Sequence, residues 1–305
     1  MYDAAVIGGG PAGLQAALTL GRVRRKVAVF DSGIYRNGRA DKVHNIVGYD
    51  GESRESFLEQ LRQTVGGYDT VDQFHSEVTS IRETDGGYVV IARDREFHVE
   101  AVLLATGVRD VLPDVDGLSE VFGAGAFDCA YCDGFELRGK DVALLGNGPH
   151  VGKVALMLDR IARGLILIPN GDELDEQNKL IARSTRIGIR NGQVERISAA
   201  PSGLLITFED RSELIVGGLL AASSYVQAAP FAEQLGLLTF ANGCVQVDSG
   251  GRTSKPGVYA AGDLAYSDEN VGPRPFLLAA ASAGLVAAMS LDKDKVLATV
   301  RSFPK

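Results

Sequence analysis

One local pattern occurs twice in this chain and limits what it can fold into: a short apolar strand, a glycine-rich loop and an apolar helix. In the first copy Ala4-Ala5-Val6-Ile7 runs into Gly8-Gly9-Gly10-Pro11-Ala12-Gly13, then into an alanine- and leucine-rich helix to about Leu20. A basic turn and the strand Lys26 to Asp31 complete βαβ spacing. The second copy is Asp141 to Leu145, then Gly146-Asn147-Gly148-Pro149-His150-Val151-Gly152, an apolar helix and the strand Leu165 to Ile168. Repetition at this spacing predicts two dinucleotide-type folds. A length of 305 residues suits two domains.

Between the copies, Glu77 to Ile81, Gly87 to Arg93 and Phe97 to Leu104 read as a small meander with Asp85-Gly86-Gly87 as a turn. The Pro- and Asp-rich run Asp110 to Gly117 marks a crossing. A second meander covers about Arg186 to Val216, and the chain is expected to return to the first domain near Ala241. The strand Gly257 to Asp263 and a small-residue helix from about Phe276 to Leu291 follow. The expected fold is α/β: two Rossmann-like domains of three-layer ββα type, the second inserted into the first. The predicted boundaries are 1–112 with 242–305 for the outer domain and 113–241 for the inserted one.

Composition narrows the function. Hydrophobic residues make up 45% and charged residues 23%, enough for sizeable cores and against disorder. The net charge of −8 argues against a nucleic-acid partner. No run reaches the roughly 18 apolar residues of a membrane span. The N-terminus starts a strand with no basic leader, so a cytoplasmic location is expected. Three cysteines do not make a secreted disulfide framework.

Two stretches carry chemistry. Gly8-x-Gly10-x-x-Gly13 lies between a strand and a helix, where glycines let a pyrophosphate approach the helix N-terminus. Asp31, at the end of the next strand, can accept hydrogen bonds from an adenosine ribose. The loop alone does not say which nucleotide. Cys129-Ala130-Tyr131-Cys132-Asp133-Gly134 is the second stretch. Zinc would need two more close ligands, and neither Cys244 nor the four histidines supply a second pair. Structural thiols would not need an adjacent acid, although Asp-Gly turns are common. A reversible disulfide uses both thiols, and Asp133 can shuttle the proton of exchange. Cys244 reads as a bystander, and His75 and His98 as surface or half-buried polar residues. His44, before Asn45 in a polar turn, either faces a cofactor or satisfies local hydrogen bonds.

The glycine loop, Ala105-Thr106-Gly107, the Cys129–Cys132 motif with Asp133-Gly134, and Gly262-Asp263 occur in an order that resembles the low-molecular-weight thioredoxin reductases over nearly the whole chain. That resemblance implies FAD on the first loop and a homodimer. It implies flavin contacts from Asn45 of Val43-His44-Asn45, from Val78 at the adenine, and from Gly262 and Asp263 at the ribityl and phosphate region. The Arg-Gln pair of the family stands here as Arg274-Pro275, followed by Phe276, and proline lacks the N–H of one backbone contact. By the same resemblance Cys132 lies on the flavin side, Cys129 exchanges with the partner sulfur, and Asp133 relays the proton.

The inserted domain departs from the family. Its relatives bind NADPH with a Gly-Gly-Gly-(Asp/Asn)-(Ser/Thr)-Ala loop and a His-Arg-Arg run. Here Pro169-Asn170-Gly171 takes the place of the basic run, with Asp172, Glu173, Asp175 and Glu176 just beyond, and Ala221-Ala222-Ser223-Ser224 ends the domain. Unit charges about 4 Å apart at intermediate dielectric interact by roughly 4 kcal/mol, and repulsion on that scale opposes a 2′-phosphate. The expectation is an atypical branch: an FAD-dependent dithiol/disulfide oxidoreductase without normal NADPH binding, similar to dithiol oxidases or to ferredoxin-linked or second-flavin reductases. Its partner would be a thioredoxin-like protein or a small dithiol or disulfide. The competing readings are an ordinary NADPH-dependent thioredoxin-disulfide reductase and a non-catalytic flavin-binding redox sensor.

Overall fold

In the computed structural model, residues 1–148, 150–268 and 275–303 are described. Five parallel strands form the first sheet, in the order Val258–Ala260, Val102–Leu104, Ala4–Ile7, Val27–Asp31 and Val71–His75. The Ala4–Ile7 strand is buried along its whole length because both faces are covered. Its side chains alternate between two cores. Ala5 and Ile7 join Phe30, Val90 and Phe97, under an antiparallel meander of Val78–Thr84, Gly87–Ala92 and Arg95–Val99. Ala4 and Val6 join Leu14, Ala17 and Leu20 of the Pro11–Arg22 helix and Ala287 and Leu291 of the Leu277–Arg301 helix. Strand periodicity thus sets the three layers: meander, sheet, helices.

The same plan recurs with other residues. A parallel sheet runs Gly188–Ile189, Gly164–Ile168, Asp141–Leu145, Gly218–Ala221, Ala126–Phe127. Ala143 and Leu145 face a meander of Val194–Ala200, Gly203–Phe208 and Glu213–Val216. Val142 and Leu144 face the Val151–Leu158 helix. The α/β class and the two Rossmann-like folds expected from the repeat are present.

The chain divides into one unit of Met1–Gly38, Arg54–Arg109 and Tyr225–Lys305, and another of Arg39–Ser53 and Asp110–Ser224. The return therefore falls at Tyr225, ahead of the expected 242. The reason is apolar: Phe231, Ala232, Leu235 and Leu237 are buried in the core that holds Phe30 and Phe97. Two connecting strands, Val108–Val111 and Ser224–Gln227, pair with each other. Two further readings change. The stretch Phe97 to Leu104 is two strands, one ending the meander at Val99 and one entering the parallel sheet at Val102. The last helix continues to Arg301, past Leu291. Among the described residues no helix is long and apolar enough to cross a membrane.

Candidate active site and nucleotide loops

The C-terminal ends of the central strands bring the first loop together with two other motifs. The Ala105 N–H donates to the Ile7 carbonyl (2.8 Å) and the Ala261 N–H to the Leu104 carbonyl (2.9 Å). A Cβ on Gly8, whose φ is +122°, would lie 2.1 Å from the Ala105 oxygen. Gly262, at φ +82°, would place a Cβ 3.0 Å from Ala12. So Gly8, Ala12, Ala105 and Gly262 abut at the sheet edge where open α/β folds take their ligands. Gly107 adopts φ +69°. Thr106 and Gly107 are half-buried beside Ala105.

This loop fits a pyrophosphate. Gly10 precedes the helix, Pro11 opens it, and a Cβ on Gly10 would meet nothing within 4 Å. Gly13 supplies tight packing, since a Cβ there would sit 1.8 Å from the Gly8 oxygen. The helix is closed behind the loop by Gly284, whose Cβ would fall 2.0 Å from the Ala12 carbonyl oxygen.

Asp31 lies against Gly9 and is already engaged. Its carboxylate accepts from the Gly33 N–H (2.9 Å), from the Tyr35 hydroxyl and from Arg62 (3.4 Å). Burial first, then the Asp31 hydrogen bond, pushes the Tyr35 hydroxyl up to about 12, so it stays a donor. Arg36 reaches Asp263 at 3.2 Å. Sequence reasoning missed Tyr35, Arg36 and Arg62. The only signal was a pair of polar side chains just past the second strand, and Arg62 comes from a helix about thirty residues on.

Other expected contacts are scattered. Val78 is a core residue, buried with Phe30 and Phe97. Phe276 precedes the last helix, and Pro275 is exposed next to it. Arg274 lies outside the described residues. Asn45, at φ +59°, belongs to the segment Arg39–Ser53 of the other unit, so the structure does not group it with the first loop.

That second unit carries the sulfurs. Cys129 and Cys132 form a disulfide with Cα atoms 5.3 Å apart. Cys129 caps a single turn, Ala130–Asp133, and its Sγ accepts the Cys132 N–H at 3.1 Å. Asp133 follows directly. Burial raises its carboxyl to about 6, the negative charges of Asp128 and Glu136 add to this, and His44 opposes it. His44 Nδ1 lies 3.8 Å from Glu136 and 3.7 Å from Asp50. His44 thus belongs to the charge cluster around Asp133. Cys244 is buried in the first unit, away from the pair in sequence. Among the described residues no group of three His, Cys, Asp or Glu side chains could hold a metal ion.

The second glycine loop is occupied by the protein's own side chains. Asn178, wholly buried, accepts the Gly152 N–H at 2.9 Å and donates to the Gly148 carbonyl at 2.8 Å. Asn147 donates to the Glu173 carbonyl at 2.6 Å. Asn170 turns inward, its Oδ1 accepting the Val194 N–H at 2.9 Å. One cation was overlooked: Lys179 bonds Glu173 at 2.5 Å and Glu176 at 3.0 Å. Its charge is therefore taken, and the bond holds the Glu173 carboxyl below its usual range. Among these residues Lys179 is the cation, paired with two exposed carboxylates.

The family described as pyridine nucleotide-disulphide oxidoreductase matches residues 2–291. The chain is 34% identical to the thioredoxin reductase sirT of Leptosphaeria maculans over 290 residues, 87% of each chain. It is also 34% identical to the thioredoxin reductase tcpT of Claviceps purpurea over 288 residues, 89% of each. A Bacillus anthracis structure assigned as the thioredoxin reductase TrxB superposes with a TM-score of 0.90 at 29% identity, covering 97% of this chain and 99% of that one. With the match running through both units, the chain belongs to the pyridine nucleotide-disulphide oxidoreductase family and is an FAD-dependent oxidoreductase acting on sulfur groups.

Proposed function

We propose that this protein passes an electron pair between FAD and the Cys129–Cys132 disulfide, and between that disulfide and a dithiol or disulfide partner, without ordinary use of NADPH. The observation that carries the reading is the closed disulfide followed directly by Asp133, a carboxyl raised to about 6. Such an acid changes protonation state near neutrality, as thiol exchange requires. In the oxidising direction a substrate thiol gives its proton to Asp133 and, as thiolate, attacks Cys129, breaking the Cys129–Cys132 bond and expelling Cys132; the second substrate thiol, deprotonated in turn, attacks the mixed disulfide and expels Cys129, and the two cysteines take up the two protons. Cys129 and Cys132 are left as thiols. The Gly8–Gly13 loop would hold FAD, which would supply a two-electron acceptor for this dithiol.

Cys129 is the proposed exchange sulfur and Cys132 the flavin-side sulfur. The Cys132 N–H on Cys129 Sγ supports the first role, since a donor there favours thiolate. The proposed FAD contacts are the Gly8–Gly13 loop, Asp31, Ala105 to Gly107, Gly262 and Asp263, with Asn45, Val78, Arg274, Pro275 and Phe276 completing the set. The partner is a thioredoxin-like protein or a small dithiol, and the proposed location is cytoplasmic. A homodimer is the proposed assembly. The last helix leaves Met289, Val296 and Leu297 exposed, an apolar face of the kind partner contacts cover.

A second reading is an ordinary NADPH-dependent thioredoxin reductase, in line with the name that the relatives carry. Anaerobic stopped-flow mixing with NADPH, NADH and dithiothreitol separates the two, followed by oxygen or ferredoxin as acceptor. Dithiothreitol is expected to bleach the flavin much faster than either nicotinamide. Fast stoichiometric bleaching by micromolar NADPH would refute the proposal. A flavin content near two per chain would place a second flavin on the second loop.

A further inference from the structure

We infer that Arg62, acting with Tyr35, is a positioning residue that fixes the Asp31 carboxylate for the adenosine ribose of FAD. The inference rests on the placing of FAD at the first glycine loop. Asp31 ends its strand directly against that loop: a Cβ on Gly9 would lie 2.3 Å from Asp31 Oδ2. A carboxylate at a strand end can turn about χ2, whose preferences are broad and roughly two-fold. Here three donors stop it. The Gly33 N–H donates to Oδ1 at 2.9 Å. The Tyr35 hydroxyl and Arg62 Nη2, the latter at 3.4 Å, both donate to Oδ2. A carboxylate has about four acceptor positions, so among the described residues about one is left for a ribose hydroxyl.

The fold holds Arg62 in place for this. It stands on the Arg54–Gly66 helix, whose Phe57, Leu58 and Val65 are buried. Its carbonyl accepts from the Gln73 side chain of the Val71–His75 strand at 3.1 Å, which pins this turn of the helix. Its Nη2 also donates to the Tyr35 oxygen at 2.5 Å, so the two protons of one nitrogen serve Tyr35 and Asp31. Glu59 lies 3.9 Å from Nη1, on the other arm of the guanidinium. Tyr35 keeps its own proton, because burial and then the bond to Asp31 hold its hydroxyl up at about 12. Donation therefore runs one way, from Arg62 to Tyr35 to Asp31. A second effect is charge. A pyrophosphate at the loop brings anionic oxygens close to Asp31, and the Arg62 guanidinium offsets the negative charge of that carboxylate. Asp31 supplies the recognition, and Arg62 with Tyr35 supplies its geometry.

The test is titration of flavin-stripped protein with FAD, read by quenching of flavin fluorescence, in a double-mutant cycle with Asp31. Arg62→Met should raise the Kd for FAD at least tenfold in the wild-type background. In the Asp31→Ala background it should raise it less than threefold, because the group it acts through is gone. A merely structural Arg62 would cost the same in both backgrounds, and that result overturns the inference. Tyr35→Phe removes one hydroxyl and should raise the Kd at least threefold; in the same cycle it carries the test if Arg62→Met does not fold. Folded Arg62→Met and Tyr35→Phe proteins that both hold FAD within twofold of the wild type also overturn the inference. Wild-type protein that takes up no FAD overturns the placing of FAD at the first loop, and the inference with it. Electron transfer plays no part in this readout, so its outcome is independent of whether NADPH or a dithiol reduces the flavin.

Discussion

At Asp133 the direction of a pKa shift becomes a kinetic expectation. Its carboxyl, raised to about 6 mainly by burial, is an acid below that pH and a base above it. Dithiol oxidation needs the base, so its rate should climb as pH rises through about 6. Disulfide reduction needs the acid and should fall over the same range. Asp133→Asn should remove that limb and lower turnover by at least about a hundredfold, read from steady-state profiles with a dithiol substrate. Glu136→Gln removes a negative charge that raises Asp133, and should move the limb to lower pH. Stability has the same origin. The folded state holds this proton more tightly than the unfolded chain, so the protein should lose stability as pH rises from about 4 to 6, and Asp133→Asn should flatten that slope in urea titrations. The sulfurs give a second readout. Cys129→Ser should leave a long-wavelength charge-transfer band from a Cys132 thiolate beside FAD, and Cys132→Ser should abolish it; the reverse pattern would exchange the two roles.

At the scale of elements, much of the fold was legible and much of the site was not. Strand–glycine–helix units announce themselves locally, through an apolar run, Gly8 to Gly13 and the helix that follows. The Cys129–Cys132 pair does too, because its chemistry lies within five residues. Asn178 could not be read, since an asparagine within a polar helix looks solvated until the fold delivers it to a loop 26 residues earlier. Lys179, Arg62 and the placement of Arg39–Ser53 were hidden for the same reason. Each depends on contacts distant in sequence. The helix pair behind the first loop offers a direct test. Gly284→Val would force the last helix off Ala12, where even a Cβ meets backbone at 2.0 Å. Overpacking of this kind costs about 1–3 kcal/mol. A lower melting temperature and reduced flavin content at equal protein are the expected result.

For the whole molecule, two units with separate apolar cores should not melt as one. Calorimetry is expected to resolve two transitions. FAD at about a hundredfold over its Kd should raise one of them by about 2.7 kcal/mol and leave the other in place. A single transition that moves as a whole with FAD would show that the units unfold together.

The close approach of Gly284 to Ala12 also bears on the order in which the chain can fold as it is made. The segments that build the sulfur-bearing unit are all synthesised by Ser224, so that unit can close while translation continues. The first glycine loop leaves the ribosome long before it, yet the helix that backs it begins only at Leu277. The first glycine loop is thus finished only after the helix from Leu277 has been made, and flavin capture is expected to wait for that helix.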